Sequence, residues 1–237
     1  MTEPQALIFD FGGTLDVPGD HWLDRFLRHY AAAGITLTRS QLQPAFDYAT
    51  SECYRRGPVK EVLELEPLLD LLVRLQFGYL ARSAPDLGPW HDLRLARQIA
   101  FGFAKQTLAG MHQSRATLEA LRKRFGLAVA SNFYGNLTTV LAQGGLLELF
   151  DVVADSSRVG IFKPDSRLFV YVLSRLSVAF ADAAMIGDSL EKDCQPAREL
   201  GMRTVWLVAR PSMPADGTYN QVDRTITHLD ELVNLTW

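Results

Sequence analysis

The stretch Ala6-Leu7-Ile8-Phe9-Asp10-Phe11-Gly12-Gly13-Thr14 decides how the rest of the chain is read. An apolar run ends abruptly in a carboxylate. A short, continuous apolar run bounded by a turn signal reads as a strand buried on both faces, the pattern of a parallel sheet. Open α/β sheets bind ligands beyond the carboxyl ends of their strands. Asp10 therefore stands at a binding edge, and the glycines after it let backbone approach a ligand closely. A strand capped by an ordinary Asp-containing turn would carry the same letters. Later stretches separate the two readings.

Outward from Thr14, Leu15–Asp20 reads as loop, and helical spacing begins near His21 with Leu23, Phe26, Leu27 and Tyr30, closing at Gly34. A second helix starts near Ser40 and places Leu42, Ala45, Phe46, Ala49 and Cys53 on one face, with Gly57-Pro58 as its break. A third begins at Val59 or Pro67 and runs to Arg82, followed by a loop over Ser83–Trp90. A fourth spans Asp92–Ala109. The remainder alternates. Helices at Ser114–Arg124, Leu137–Gln143, Ser166–Leu176 and Glu191–Leu200 each precede a strand, at Leu127–Ala130, Val152–Ala154, Ala184–Ile186 and Thr204–Val208 respectively. A weak strand at Thr225-Ile226 and a helix at Leu229–Leu235 end the chain. Strand–helix alternation predicts an α/β fold with a doubly wound, mainly parallel, Rossmann-like sheet. Residues 1–16 and 112–237 form this core, and residues 17–111 form an inserted all-helical cap.

Composition sets the outer limits. The 237 residues, 48% of them apolar, suffice for a substantial core. A net charge of −3 gives no basic footprint for nucleic acid. Val62–Leu80 is leucine-rich but holds Glu64, Glu66, Asp70 and Arg74, too many charges for a membrane span. The start Met1-Thr2-Glu3-Pro4-Gln5 lacks the basic and apolar regions of a signal peptide. Cys53 and Cys194 match no metal spacing and read as reduced thiols, so a cytoplasmic location is expected. Oligomeric state stays open.

Three later stretches bear on Asp10. The strand ending at Ala130 runs into Ser131-Asn132, where a hydroxyl and backbone N–H groups suit anionic oxygens, although Ser-Asn is also a common turn. Gly160-Ile161-Phe162-Lys163-Pro164-Asp165 holds a lysine outside helical geometry at a helix entrance, as a fixed positive charge or as a solvated surface residue. Gly187-Asp188-Ser189-Leu190-Glu191-Lys192-Asp193 puts one carboxylate at a strand end and a second five residues on. Beside Asp10 they would make a hard-oxygen site of the kind Mg²⁺ prefers. As a helix cap alone, Asp188 or Ser189 would look the same.

Taken in order, Asp10, Ser131, Lys163-Pro164 and Gly187-Asp188-Ser189 with the trailing Asp193 resemble the haloacid dehalogenase (HAD) superfamily over the whole chain, and the helical insert resembles its C1-type cap. The resemblance implies that Asp10 is a nucleophile forming an aspartyl-phosphate. It implies Mg²⁺ held by Asp10, Asp188 and the backbone carbonyl of Gly12, with Asp193 supporting the metal or Lys163. Ser131, the amide of Asn132 and Lys163 would bind the phosphoryl group of a small phosphorylated substrate. Thr14 would join that set by hydrogen-bonding within the turn.

One departure stands out. Phosphatases of the superfamily read Asp-x-Asp at the first motif, and the second Asp serves as general acid and base. Here that position is Gly12. Loss of such help typically costs roughly 10²–10⁴ in rate. One reading is a phosphatase for substrates with good leaving groups, such as acyl or aryl phosphates, with Asp16 as a surrogate acid. A second is a haloacid or phosphonate hydrolase, the latter needing a cap lysine, Lys60 or Lys105. A third is a weak or inactive member that binds a phosphorylated ligand or a protein. Tyr54, Arg55, Arg56, Trp90 and His91 are candidate ligands for the substrate body, and Phe133 and Tyr134 candidate walls.

Overall fold

The computed structural model describes residues 3–55, 63–208 and 221–237. Six parallel strands form one sheet in the order β3-β2-β1-β4-β5-β6: β1 (Ala6–Phe9), β2 (Gly126–Ser131), β3 (Val152–Asp155), β4 (Ala183–Gly187), β5 (Arg203–Leu207) and β6 (Arg224–Ile226). The apolar run that opens the chain is the central strand. Phe9 lies beside Val129 of β2 and Ile186 of β4. Because side chains alternate along a strand, Leu7 and Phe9 enter one core layer while Ile8 enters the other, with Ala128, Ala130 and Met185. All four residues of β1 are fully buried, which is why its sequence shows no polar alternation.

Among the described residues, four α-helices lie between β1 and β2: α1 (Trp22–Ala32), α2 (Arg39–Arg55), α3 (Leu65–Ser83) and α4 (Leu93–Arg122). The expected loop Ser83–Trp90 contains a single 3₁₀ turn, Pro85–Leu87. Gly57-Pro58, Lys60 and Arg56 lie outside the described residues. The two helices expected over Asp92–Ala109 and Ser114–Arg124 are one helix of 30 residues, about 45 Å long. Its Gly110 is a contact rather than a break: a Cβ there would lie 1.4 Å from the carbonyl oxygen of Asp16. One turn on, Ser114 Oγ donates to the Leu15 carbonyl at 2.9 Å. The helix is thus pressed against the loop that leaves Asp10, and the sequence-based seam at 111/112 falls within it.

After β2 come α5 (Leu137–Gln143), the single turn α6 (Ser156–Val159), α7 (Arg167–Leu176) and α8 (Gln195–Glu199). The helix expected over Glu191–Leu200 begins instead as a π-helical turn, Leu190–Cys194, before α8. The closing helix is a 3₁₀ segment, Leu229–Asn234, capped by reciprocal hydrogen bonds between His228 and Glu231. Among the described residues no helix is long and apolar enough to cross a membrane.

Candidate active site

The carboxyl edge of the sheet gathers the charged residues that the sequence scatters over 180 positions. Asp10 follows β1, Ser131 ends β2, Asp188 follows β4, and Lys163 reaches in from the loop before α7. Ligand oxygens of Asp10, Asp188 and Asp193 lie within 4.8 Å of one another. Lys163 Nζ donates to Asp10 Oδ1 at 2.7 Å and to Asp193 Oδ1 at 2.5 Å. All these groups are buried or half-buried.

Local chain geometry makes this convergence possible. Gly13 has φ +80°, and a Cβ there would lie 2.2 Å from Asp188 Oδ2. Only glycine allows both that backbone conformation and that approach. A Cβ on Gly187 would similarly lie 2.3 Å from Asp193 Oδ2. The π-helical turn, a feature frequent at functional sites, brings Asp193 back toward the strand end, where Ser189 N–H donates to its Oδ2 at 3.1 Å. Lys163 is fixed by Asn132: the Asn132 amide donates to the Lys163 carbonyl and accepts from the Lys163 N–H, both at 2.8 Å.

Burial works against the charge on Lys163, but Asp10 and Asp193 outweigh it and hold the ammonium above the ordinary lysine range. Asp188 is driven well above the usual carboxylate range by burial and by repulsion from Asp10 and Asp193. Burial pushes Asp193 up to about 6, with Lys163 opposing the shift and Asp10 adding to it. Three close carboxylates facing one lysine leave an excess of negative charge. The donors are all hard oxygens, the set that suits Mg²⁺ or another hard divalent cation.

A cleft of about 200 Å³ opens over these groups. Gly12, Ser131 and Asn132 line it beside the charged residues. Its remaining walls are Trp22, Phe46, Tyr54, Phe133 and Tyr134, with His21, Thr50, Ser189 and Lys192. Phe133 and Tyr134 are therefore walls, as is Tyr54. Arg55 is exposed and paired with Glu52. Trp90 packs on Phe77 and donates to the Ala84 carbonyl at 2.7 Å, and neither it nor His91 lines the cleft. Lys105 is exposed on α4, away from the cleft.

Two expected members of the site are elsewhere. Asp16 is fully buried and accepts four hydrogen bonds: from Gly13 N–H at 2.6 Å, Val17 N–H at 2.7 Å, Trp22 Nε1 at 2.7 Å and the Arg25 guanidinium. A carboxylate so occupied and so buried has no access to a substrate in the cleft, so Asp16 is a loop anchor rather than a surrogate acid. Thr14 is also fully buried, does not line the cleft, and its Oγ1 has no hydrogen-bond partner among the described residues. It neither orients the turn through its hydroxyl nor reaches a phosphate.

Three contributors escaped sequence reasoning. Asp155, at the end of β3, accepts from the N–H groups of Gly135 (2.8 Å), Leu137 (3.1 Å) and Ser157 (3.0 Å), and so shapes the loop after Ser131. Its signal was available, an apolar strand ending in a carboxylate, as at Asp10. His21 caps α1, its Nδ1 accepting from Leu23 N–H at 3.2 Å. Burial holds it below the ordinary histidine range, and Lys192 adds to the effect. Trp22 stands over Gly12, where a Cβ would lie 3.1 Å from the indole Nε1.

A family model described as "Hydrolase: haloacid dehalogenase-like hydrolase" matches residues 4–201. The chain belongs to the haloacid dehalogenase-like hydrolases. Among curated relatives, the bovine (Bos taurus) haloacid dehalogenase-like hydrolase domain-containing protein 3 is 40% identical over 145 residues, 60% of this chain and 55% of that one. A phosphoserine phosphatase of Thermus thermophilus is 42% identical over 99 residues, 41% of this chain and 39% of that one. The chain spans about half the length of the curated relatives it matches. A magnesium-bound HAD-hydrolase structure from Bacillus subtilis superposes with a TM-score of 0.61 at 21% identity, covering 99% of this chain and 100% of that one. A dehalogenase structure gives a TM-score of 0.68 at 17% identity, covering 100% and 98%. At such identities these structures establish the HAD fold alone. Other curated relatives are named as a glyceraldehyde 3-phosphate phosphatase of Methanocaldococcus jannaschii and a ribulose-1,5-bisphosphate 5-phosphatase of Halopiger xanaduensis.

Proposed function

We propose that the chain is a Mg²⁺-dependent phosphatase of small phosphorylated compounds, working through an aspartyl-phosphate on Asp10. The observation that supports this most is the buried group of Asp10, Asp188 and Asp193 salt-bridged to Lys163 at one strand edge. Haloacid chemistry needs no hard-cation site, and phosphonate chemistry through a Schiff base needs a free lysine in the cleft, where the described residues supply only the salt-bridged Lys163 and the exposed Lys192.

In this reading an oxygen of Asp10 attacks phosphorus, the bond from phosphorus to the ester oxygen breaks, and the leaving group departs with the electron pair. Water then attacks the phosphoryl group, the bond to Asp10 breaks, and phosphate is released. Lys163 offsets phosphoryl charge and holds Asp10 and Asp193 in place. The Ser131 hydroxyl and the Asn132 N–H take the transferring oxygens. Asp10, Asp188 and the Gly12 carbonyl would hold Mg²⁺, with Asp193 in support. When bound, the metal supplies charge neutralisation between an anionic nucleophile and an anionic phosphate. The helical insert between β1 and β2 acts as the cap that sets what the leaving group can be.

The test is phosphate release from an aryl phosphate with Mg²⁺, compared with Asp10→Asn. The proposal expects release by the wild type and none by the variant. Equal release by both would overturn it.

A further inference from the structure

Resting on the phosphatase reading, we infer that the preferred substrates are aryl phosphates, in which a single aromatic ring carries the phosphoryl oxygen. Two independent features of the cleft lead there.

The first is the lack of an acid. Among the described residues lining the cleft, the carboxylates are Asp10, Asp188 and Asp193, and each is already engaged at the phosphoryl end. The place where a carboxylate would stand, over Gly12, is filled by the Trp22 indole. That indole is locked by its bond to Asp16 and by edge contacts with Phe103 at 5.0 Å and Phe133 at 5.9 Å. Asp16 is sealed behind it. His21 uses Nδ1 to accept the Leu23 N–H, so its remaining group is a ring N–H, a hydrogen-bond donor but a poor acid when the ring is neutral. A leaving oxygen in this site meets no free carboxyl to protonate it among the described lining residues, which favours a leaving group stable as an anion. A phenol has a pKa of about 10, as in tyrosine. An alkoxide is nearly as basic as hydroxide and leaves far less readily.

The second feature is the wall. Trp22, Phe133 and Tyr134 form a contiguous aromatic surface, with ring centroids 5.3–6.4 Å apart, continued by Tyr54 against Tyr134 at 5.4 Å. Phe46 closes the side nearest His21, their rings 6.2 Å apart. Aromatic side chains favour edge and offset contacts with another ring. A cavity of about 150 Å³ suffices for benzene, so a cleft of about 200 Å³ holds one ring beside a phosphoryl group. The ring side of the cleft thus begins where the acid is missing.

The experiment measures kcat/KM, at fixed Mg²⁺, for phenyl phosphate, ring-substituted phenyl phosphates, acetyl phosphate and two alkyl phosphates. Binding of phenylphosphonate, which cannot be hydrolysed, is measured in parallel by calorimetry. We expect phenyl phosphate to exceed the alkyl esters at least 100-fold. Acetyl phosphate, a better leaving group without a ring, should fall below phenyl phosphate. Phenylphosphonate should bind at least 10-fold tighter than methylphosphonate. Alkyl esters turned over as fast as phenyl phosphate would overturn the inference while leaving the phosphatase reading intact. So would acetyl phosphate matching phenyl phosphate together with no preference between the phosphonates. Absence of turnover for every ester would overturn the phosphatase reading, and the inference with it.

Discussion

Trp22 occupies the space above Gly12: a Cβ on Gly12 would lie 3.1 Å from the indole Nε1 and 3.3 Å from Cδ1. The missing carboxylate and the indole are therefore one feature. Gly12→Asp alone crowds a ring that is hydrogen-bonded to Asp16 and packed between Phe103 and Phe133. Overpacking of this kind costs about 1–3 kcal/mol. Gly12→Asp is expected to lose stability by that amount in urea unfolding and to gain no alkyl phosphatase activity. With Trp22→Ala as well, alkyl phosphate hydrolysis should rise at least 10-fold over Trp22→Ala alone.

Arg25 ties the insert to the catalytic loop. Fully buried, it pairs with Asp16, donates to Thr107 Oγ1 at 2.5 Å and lies 4.1 Å from the centre of the Phe103 ring. Removing one partner of a buried pair strands the other's charge and costs about 3–5 kcal/mol. Arg25→Ala should destabilise the protein by that amount in urea unfolding. Arg25→Ala with Asp16→Asn should recover part of the loss.

Asn132 offers a cleaner separation of position from stability. Its side chain makes two hydrogen bonds to the backbone of Lys163 and none to the carboxylates. Asn132→Ala should cost about 1–3 kcal/mol of stability. It should lower kcat more than it raises KM for phenyl phosphate, because Lys163 loses its fixed origin. A kcat equal to wild type would show that Lys163 is held well enough by Asp10 and Asp193.

The crowded carboxylates give metal-free protein a distinctive pH dependence. Asp193 titrates near 6 when folded and at the ordinary carboxylate value when unfolded. Between those values the folded state binds the extra proton, so stability falls as pH rises from about 4 to about 6. Asp188 shifts in the same direction. Mg²⁺ at about 100 times its Kd should add about 2.7 kcal/mol and raise Tm by roughly 5–10 °C. That gain should be larger at pH 7.5 than at pH 5, and thermal melts with and without chelator measure it.

Much of this was legible in the sequence. The apolar run into Asp10, the strand–helix alternation and the Gly187-Asp188 motif carry strong local signals, and the six-stranded parallel sheet follows from them. That α4 runs unbroken from Leu93 to Arg122 is not legible locally, because Gly110 in its middle is required by a neighbour 94 residues earlier, the carbonyl of Asp16. The role of Asp16 is hidden for the same reason. Nearness to Asp10 in sequence suggested chemistry, while its partner Arg25 and the roof of Trp22 exist only in the packed structure. The aromatic wall is half visible in the sequence, since Phe133 and Tyr134 adjoin Ser131 and Tyr54 is a candidate for the substrate body, but Trp22 and Phe46 arrive from helices whose rotation the sequence does not specify.

The most direct test of the account is to quench wild-type protein with acid during turnover of a ³²P-labelled aryl phosphate and map the label by peptide. Phosphate is expected on Asp10, labile at alkaline pH and absent in Asp10→Asn. Phosphate release without label on the protein, or label on another residue that survives in Asp10→Asn, would contradict it.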